Sequence, residues 1–448
     1  MARLDQTPKT VSINDLSHDG RGVARCPEGH AQSGKTVFVA GALPGETVVV
    51  QQSARSRHFD EARTLEVLAA SADRVTPRCP HFGVCGGCVL QHLAEERQIA
   101  YKQQVLLDNL QRIGHVAPAS VLPPLHGQAW GYRRKGRFSV RRVEKKDKTL
   151  VGFREQDPRF VADLRECHVV VPQLGFRLEA LGALVDGMDA RRDIPQIEFI
   201  AGDAATALVF RHLQPLSEAD HGRLRAFAAQ HDLSIFLQPG GLDSVHPLAG
   251  EARELSFRLP QWGVELQFRP LDFIQVNASL NEAMIARALV LLDVQPGERV
   301  LDLFCGLGNF TLPLARASGD GAVVGVEGDA GLVQRARENA GRNGLGNVQF
   351  FTADLSKDLA GQPWLRHGFD KLLLDPARSG AIEVLKQLPL HQLRRIVYVS
   401  CHPGSLARDA GWLVNEAGWT LREAGVMDMF PHTAHVESIA VFDPPKPR

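Results

Sequence analysis

The chain is expected to be an α/β protein. A Rossmann-like, doubly wound C-terminal domain would follow a small OB-like β-barrel and a central α+β region. Three observations predict this. Residues 271–448 alternate strand-length apolar runs with helix-length ones. A glycine turn, Gly306-Leu307-Gly308, separates one such run from a helix. Residues 8 to about 67 hold short β-rich runs at roughly ten-residue spacing, punctuated by glycine and proline turns. The expected boundaries are 1–70, 71–270 and 271–448, in line with about three domains of roughly 150 residues each.

Composition narrows the class. Hydrophobic residues make up 44% of 448, which is ordinary for globular protein. No apolar run approaches the roughly 18 residues that span a bilayer, so no membrane partner is expected. The start, Met1 to Asn14, has no apolar segment of the secretory kind, which predicts a cytoplasmic protein. Lys+Arg and Asp+Glu are equal at 51, so net charge identifies no partner, but distribution does. Between His126 and Phe160 there are 11 basic residues and four acidic ones, a local +7 that the remainder balances at −7. Seven cysteines are few, and odd in number, for a disulfide scaffold.

The barrel strands are expected at Thr10–Ile13, Gly22–Ala24, Thr36–Val39 and Glu46–Val50, with turns at Asp19–Gly22 and Leu43–Glu46. Arg55, Arg57, His58 and Phe59 offer cationic and stacking groups for nucleic acid. A solvated barrel without a ligand is the plainer reading. Cys79, Cys85 and Cys88 then form C-x5-C-x2-C, with Gly86 and Gly87 in the loop. Thiolates so spaced hold zinc or an iron–sulfur cluster. Cys167 and Cys26 are the remote candidates for a fourth ligand, and His81 and His92 would complete a zinc site. An amphipathic helix is expected over 93–114, ending at Gly114. In Tyr132–Arg141, Phe138 and Val140 alternate with Arg137, Ser139 and Arg141, which predicts a strand with one basic face. Arginine and lysine beside Tyr132 and Phe138 suit phosphate contact and base stacking, against a plain solvated face. Residues 173–270 carry no chemical motif. A helix is expected over Leu280–Asp293, stopped before Pro296-Gly297.

The doubly wound half has an internal logic. Val300–Leu303 runs into the glycine turn, and Ala322–Val326 ends in Glu327. That acid lies about 20 residues past the glycines, where such folds place a carboxylate on ribose hydroxyls. NAD is one candidate ligand, but the third glycine of its fingerprint is missing. Later strands end in Asp354, Asp375 and Ser400-Cys401, and open parallel sheets bind ligands past their strand C-termini. A cysteine there suits one chemistry. Carbon 5 of uracil is a poor nucleophile until a thiolate adds to carbon 6; a base must later remove the carbon-5 proton so that the thiol leaves. Cys401 is the candidate thiol. Glu437 is the candidate base, because it follows the loop 429–436 that would face Cys401 across the sheet edge. A buried, merely packed Cys401 is the alternative. Cys305, inside the glycine turn, is expected to pack.

The run Asp302-Leu-Phe-Cys-Gly-Leu-Gly resembles the loop of class I S-adenosylmethionine-dependent methyltransferases. Together with Phe273–Asn277, Asp302–Phe310, Leu374–Arg378, Val399–Cys401, Phe430–Thr433 and His435–Glu437, it makes nearly the whole chain resemble the RNA uracil-5-methyltransferase family. The likeness is to the branch with a TRAM barrel and an iron–sulfur cluster that methylates 23S ribosomal RNA. The resemblance implies S-adenosyl-L-methionine contacts at Gln275, Phe304, Asn309, Glu327, Asp354 and Asp375. It implies Cys401 as nucleophile and Glu437 as base. It implies a [4Fe-4S] cluster on Cys79, Cys85, Cys88 and Cys167. It further implies a structured 23S ribosomal RNA as partner, no DNA, and a monomer. His402 stands where the family usually has asparagine, a histidine placed to assist ionisation of Cys401. Three alternatives remain: the first is the same chemistry on a transfer RNA uridine, and the second a TRAM-containing radical enzyme, whose C-x3-C-x2-C spacing does not match. A non-enzymatic RNA-binding protein is the third.

Overall fold

A computed structural model describes residues 5–26, 33–250 and 252–445. The first four residues of the stretch read above for a secretory signal lie outside them. The chain forms two compact units. One comprises Met1–Lys102, Phe153–Ala162 and Phe430–His435; the other comprises Gln103–Gly152, Asp163–Met429 and Val436–Arg448. Among the described residues, no helix is long and apolar enough to cross a membrane.

In the first unit, β1 (Lys9–Leu16), β2 (Gly22–Arg25), β3 (Thr36–Ala40), β4 (Thr47–Arg55) and β5 (Phe59–Ala69) close a barrel in the order β1-β2-β3-β5-β4. Alternation drives it: Val11, Ile13, Val37, Val39, Val48 and Val50 turn inward to one core. β5 pairs parallel with β3 and so closes the barrel, yet no strand was expected there. Its outer half is exposed, so it shows no sustained alternation. Beside the barrel, Arg74 pairs bidentately with the buried Glu46, whose second oxygen also accepts the Leu43 amide. Burial alone would raise the Glu46 carboxyl, but Arg74 and these amides hold it below its ordinary value.

Helix α1 (Glu95–Arg112) buries Ile99, Leu106 and Leu110 along one face. Gly114 does not provide the left-handed stop that was expected; His115 takes it, at φ 52°. Gly114 is required for another reason: a Cβ there would sit 2.4 Å from the Ala407 carbonyl oxygen.

The second unit continues with β6 (Ser120–Val121), β7 (Lys135–Val143), β8 (Lys148–Gly152), α2 (Pro172–Gly175), α3 (Leu178–Asp186), β9 (Gln196–Ala201), β10 (Thr206–Arg211), α4 (Glu218–His231), β11 (Ser234–Gln238) and β12 (His246–Pro247). Strands β7 to β12 build a six-stranded sheet ordered β12-β11-β10-β9-β7-β8. A hairpin, β13 (Leu255–Leu259) and β14 (Val264–Phe268), leads to α5 (Ala278–Leu292), capped by the Asn277 side chain on the Leu280 amide.

The last sheet is built from β15 (Val300–Leu303), α6 (Thr311–Ala317), β16 (Val323–Glu327), α7 (Ala330–Arg342), β17 (Val348–Thr352), β18 (Lys371–Leu374), α8 (Ile382–Leu385), β19 (Arg395–Ser400), α9 (Pro403–Asn415), β20 (Thr420–Met427) and β21 (Glu437–Asp443). Its order is β17-β16-β15-β18-β19-β21-β20-β6. The first five strands pair parallel, and β21 then runs antiparallel to β19. β15 and β18 are buried at every residue, as a central parallel strand with helices on both faces must be. The C-terminal ends of the parallel strands therefore share one edge, and β21 starts at that same edge.

Candidate active site

The glycine turn is built for close approach. Phe304, Gly306 and Gly308 have φ of 65°, 55° and 97°. A Cβ on Gly308 would lie 2.4 Å from Leu312. Beneath the turn, the fully buried Asp302 accepts the Thr311 hydroxyl at 2.5 Å. Burial pushes its carboxyl up to about 8, and the charges of Asp375 and Glu327 add to the rise. Glu327, at the end of β16, accepts the amides of Gly306, Gly328 and Asp329 at 3.1, 2.7 and 3.1 Å. These bonds fix its side chain against the turn while Oε2, with one amide, keeps acceptor capacity.

A cavity of about 570 Å³ opens above these strand ends, lined by Phe304, Glu327, Asp354, Ser356 and Arg408 among others. Three of the residues singled out for cofactor binding thus meet in one space. Asp354 is exposed, and its bonds from the Ser356 hydroxyl and amide hold its carboxyl below the ordinary value. Gln275, Asn309 and Asp375 are not among the lining residues. Asn309 exchanges two hydrogen bonds with Asn281 of α5, at 3.0 and 2.8 Å. Gln275 accepts the Arg134 guanidinium on its backbone oxygen at 2.9 Å. Asp375 is half-buried past β18, and burial pushes it up to about 7.

Sequence reasoning missed Asp409. Fully buried on α9, it accepts the Ala381 amide at 2.7 Å and the Tyr398 hydroxyl at 2.8 Å. It thereby holds the 379–384 wall of the cavity. A lone aspartate in an amphipathic helix gave no signal. The Ser356 contact was readable, because D-x-S is an ordinary side-chain turn.

Cys401 and Glu437 are brought together by register. Ser400 pairs with Ser438 across β19 and β21, so the next pair outward is Cys401 opposite Glu437. Cys401 is half-buried and Glu437 is buried. Burial pushes the Cys401 thiol up to about 11, and the carboxylates of Glu437 and Asp375 push the same way against Arg378. The thiol is therefore protonated at neutral pH. His402, beside it, serves as a helix cap. Its Nδ1 accepts the Ser405 amide at 3.1 Å and caps α9, the task an asparagine side chain performs equally well. Cys305 packs, as expected: it is buried, and burial raises its thiol well above the ordinary value.

In the first unit, Cys79, Cys85 and Cys88 are half-buried. The loop that carries them is tight: the Cys85 amide donates to the His81 carbonyl at 3.0 Å, and the Gly87 amide donates to the Cys85 sulfur at 3.4 Å. A Cβ on Gly86 would lie 2.8 Å from the Glu155 carbonyl oxygen. Among the described residues, no three or more histidine, cysteine or acidic side chains gather as a metal site. Cys167, in the second unit, is half-buried and donates its amide to Gly175 at 2.8 Å.

The basic segment needs correction. β7 does alternate, with Phe138 and Val140 buried and Arg137 and Arg141 exposed. Tyr132 and Phe138, however, are buried at 3% and 0% exposure and present no face to a base. Phe138 stacks on Phe199 at 4.5 Å instead. Arg134 lies over the Phe257 ring at 4.6 Å, and Lys135 donates to the Leu271 and Asp272 carbonyls. Burial lowers these two bases to about 10 and about 8. In an α+β sheet, aromatic residues between arginines fill the inner face before they serve the outer one. On the barrel, Arg55, Arg57 and His58 are exposed, and Phe59 packs edge-on against Phe38.

A parallel sheet with a final antiparallel strand, a glycine turn after its first strand and an acid ending its second defines the class I methyltransferase fold. The comparisons agree and go further. A family profile described as tRNA (Uracil-5-)-methyltransferase matches residues 262–443, and the TRAM domain matches residues 7–51. A protein of Xanthomonas campestris pv. campestris (strain 8004), named 23S rRNA (uracil(1939)-C(5))-methyltransferase RlmD, is 70% identical over 441 residues, 98% of either chain. Its namesake in Stenotrophomonas maltophilia (strain K279a) is 70% identical over 442 residues, 99% of this chain and 98% of that one. The solved tRNA (uracil-54, C5)-methyltransferase of Pyrococcus abyssi, in complex with S-adenosyl-L-homocysteine, superposes with a TM-score of 0.72 at 22% identity, covering 97% of this chain and 99% of that one. That likeness concerns the fold. The chain belongs to the RNA uracil-5-methyltransferase family, and with that the NAD, radical-enzyme and non-enzymatic alternatives fall away.

Proposed function

We propose that this chain transfers a methyl group from S-adenosyl-L-methionine to carbon 5 of a uridine in 23S ribosomal RNA. The uridine is the one equivalent to position 1939 in the names of its relatives. The observation that supports the mechanism is the strand register, whose last pair Ser400–Ser438 leaves Cys401 and Glu437 as the next residues outward. Cys401 gives up its proton to water and its sulfur bonds to carbon 6. The ring electrons move to carbon 5, which takes the methyl group. Glu437 removes the carbon-5 proton, the carbon 5–carbon 6 double bond re-forms, and the carbon–sulfur bond breaks. With its thiol pushed up to about 11, Cys401 must lose a proton before the sulfur can attack.

The cofactor supplies a methyl group made electrophilic by its sulfonium. The residues assigned to it are Gln275, Phe304, Asn309, Glu327, Asp354 and Asp375. The support is the cavity shared by Phe304, Glu327 and Asp354, with Glu327 as the hydroxyl acceptor. The reaction needs the target base turned out of its stack, at a cost of a few kcal/mol. The barrel (1–70) and the central region (71–270) would hold the folded RNA, and 271–448 would do the chemistry. Within the central region, Arg137 and Arg141 replace Tyr132 and Phe138 as the RNA-facing groups.

The iron–sulfur cluster belongs to the same proposal. Cys79, Cys85 and Cys88 suit it through their spacing and the amide-to-sulfur bond within the loop; Cys167 is added by family resemblance. The cluster would brace the loop and carry no electron in this reaction. A monomer working on RNA in the cytoplasm, and not on DNA, completes the reading. Protein purified without oxygen should be brown and hold about four irons; colourless protein containing zinc would overturn the cluster. The function itself is tested by mass spectrometry of ribosomal RNA from cells lacking the protein. Loss of one 5-methyluridine from 23S RNA is expected, and an unchanged 23S RNA contradicts it.

A further inference from the structure

Within the first unit, two buried polar side chains and a cysteine-loop backbone converge on the six residues Phe430–His435, of which His432 is also buried. Gln98 is 1% exposed, Lys102 0% and His432 1%. Gln98 accepts the His432 amide on Oε1 at 2.8 Å. Its Nε2 donates to the Leu90 and Leu93 carbonyls at 3.1 and 2.8 Å and lies 3.3 Å from the His432 ring. The Lys102 ammonium donates to the Phe430 carbonyl at 2.9 Å. The Val89 and Leu90 amides, directly after Cys88, both donate to the His432 carbonyl, at 2.9 and 3.0 Å. His432 is held at φ 67°, a conformation a non-glycine residue keeps only where its surroundings impose it.

Polar groups this deep cost stability unless each is satisfied. Here Gln98 joins the loop to the Leu90 and Leu93 carbonyls, and Lys102 holds its Phe430 carbonyl. That loop runs into Glu437, the first residue of β21, only five positions past His432. The turn at His432 is thus the last fixed point of the chain before β21, whose register follows from its ladders to β19 and β20.

We propose that Gln98 is a positioning residue: it clamps His432 so that Glu437 reaches the carbon-5 proton, and it ties this loop to the backbone that follows Cys88. The proposal rests on Glu437 being the base. A misplaced base leaves sulfur attack and methyl transfer intact and slows elimination alone, so a protein–RNA adduct builds up. A misplacement near 1 Å costs up to about 10²-fold in rate.

The test compares Gln98→Ala, Gln98→Glu and Glu437→Gln with the full-length enzyme on 23S RNA fragments. The readouts are turnover, KM for RNA and the fraction of protein shifted on a denaturing gel. Gln98→Ala is expected to turn over tenfold or more slowly, with KM little changed and the shifted fraction raised. Gln98→Glu keeps the acceptor for the His432 amide and should fall between. Slow turnover without adduct, or normal turnover, in Gln98→Ala overturns the clamp, provided Glu437→Gln traps adduct. If Glu437→Gln traps none, the base assignment fails and the clamp falls with it. Should Gln98→Ala not fold, Gln98→Glu decides: an adduct fraction above wild type supports the clamp, and a wild-type fraction overturns it.

Discussion

Two cysteines follow two parallel strands of one sheet, separated by β18, and their surroundings differ. Cys305 follows β15 and Cys401 follows β19. Cys305 is 4% exposed and folded into the glycine turn, with the carboxyl groups of Asp302 and Glu327 as neighbours. Cys401 is half-buried and stands one register step past Ser400–Ser438, opposite a carboxylate. A place at a strand end is thus insufficient. What separates the two is the antiparallel β21, which brings an acid from the far end of the chain to the open edge beside one cysteine. The other end is filled by the glycine turn beside the cavity lined by Phe304 and Glu327.

The largest expected difference is in catalysis. Cys401→Ala should bind RNA normally and lose at least about 10³-fold in methyl transfer, measured by tritiated methyl incorporation. Cys305→Ala should keep its rate within severalfold. Equal losses would erase the distinction. Alkylation sharpens it further. Iodoacetamide should label Cys401 about tenfold faster for each pH unit gained towards its value near 11, with bound RNA blocking the reaction. Cys305 should stay unlabelled until the protein unfolds, and mass spectrometry of tryptic peptides separates the two.

Smaller effects concern packing. Removing the Cys305 sulfur should cost about 1 kcal/mol of stability, seen as a lower denaturant midpoint without a change in slope. His402→Asn exchanges one cap for another and should alter stability by less than about 0.5 kcal/mol. A large loss of activity in that variant would return the imidazole to an active part in the chemistry.

Much of this was legible in the sequence. Apolar runs such as Val300–Leu303 and Lys371–Leu374 marked buried parallel strands because both faces are covered. The spacing from Gly306 to Glu327 placed the acid on the cavity. The loop before Glu437 pointed to its partner. What escaped lay in tertiary packing. β5 is too exposed along its outer half to show alternation. Tyr132 and Phe138 read as stacking groups because neighbouring arginines hid which face was inward. Gly114 is dictated by a carbonyl of α9 nearly 300 residues away. Asp409 and Gln98 act through backbone groups distant in sequence, which no local spacing records.

The most direct measurement is peptide mapping of Glu437→Gln after reaction with 23S RNA and S-adenosyl-L-methionine. Nuclease and trypsin digestion should leave a methylated uridine bound to the peptide carrying Cys401. Finding that nucleotide on the Cys305 peptide, or on no peptide while methylation proceeds, would contradict the account.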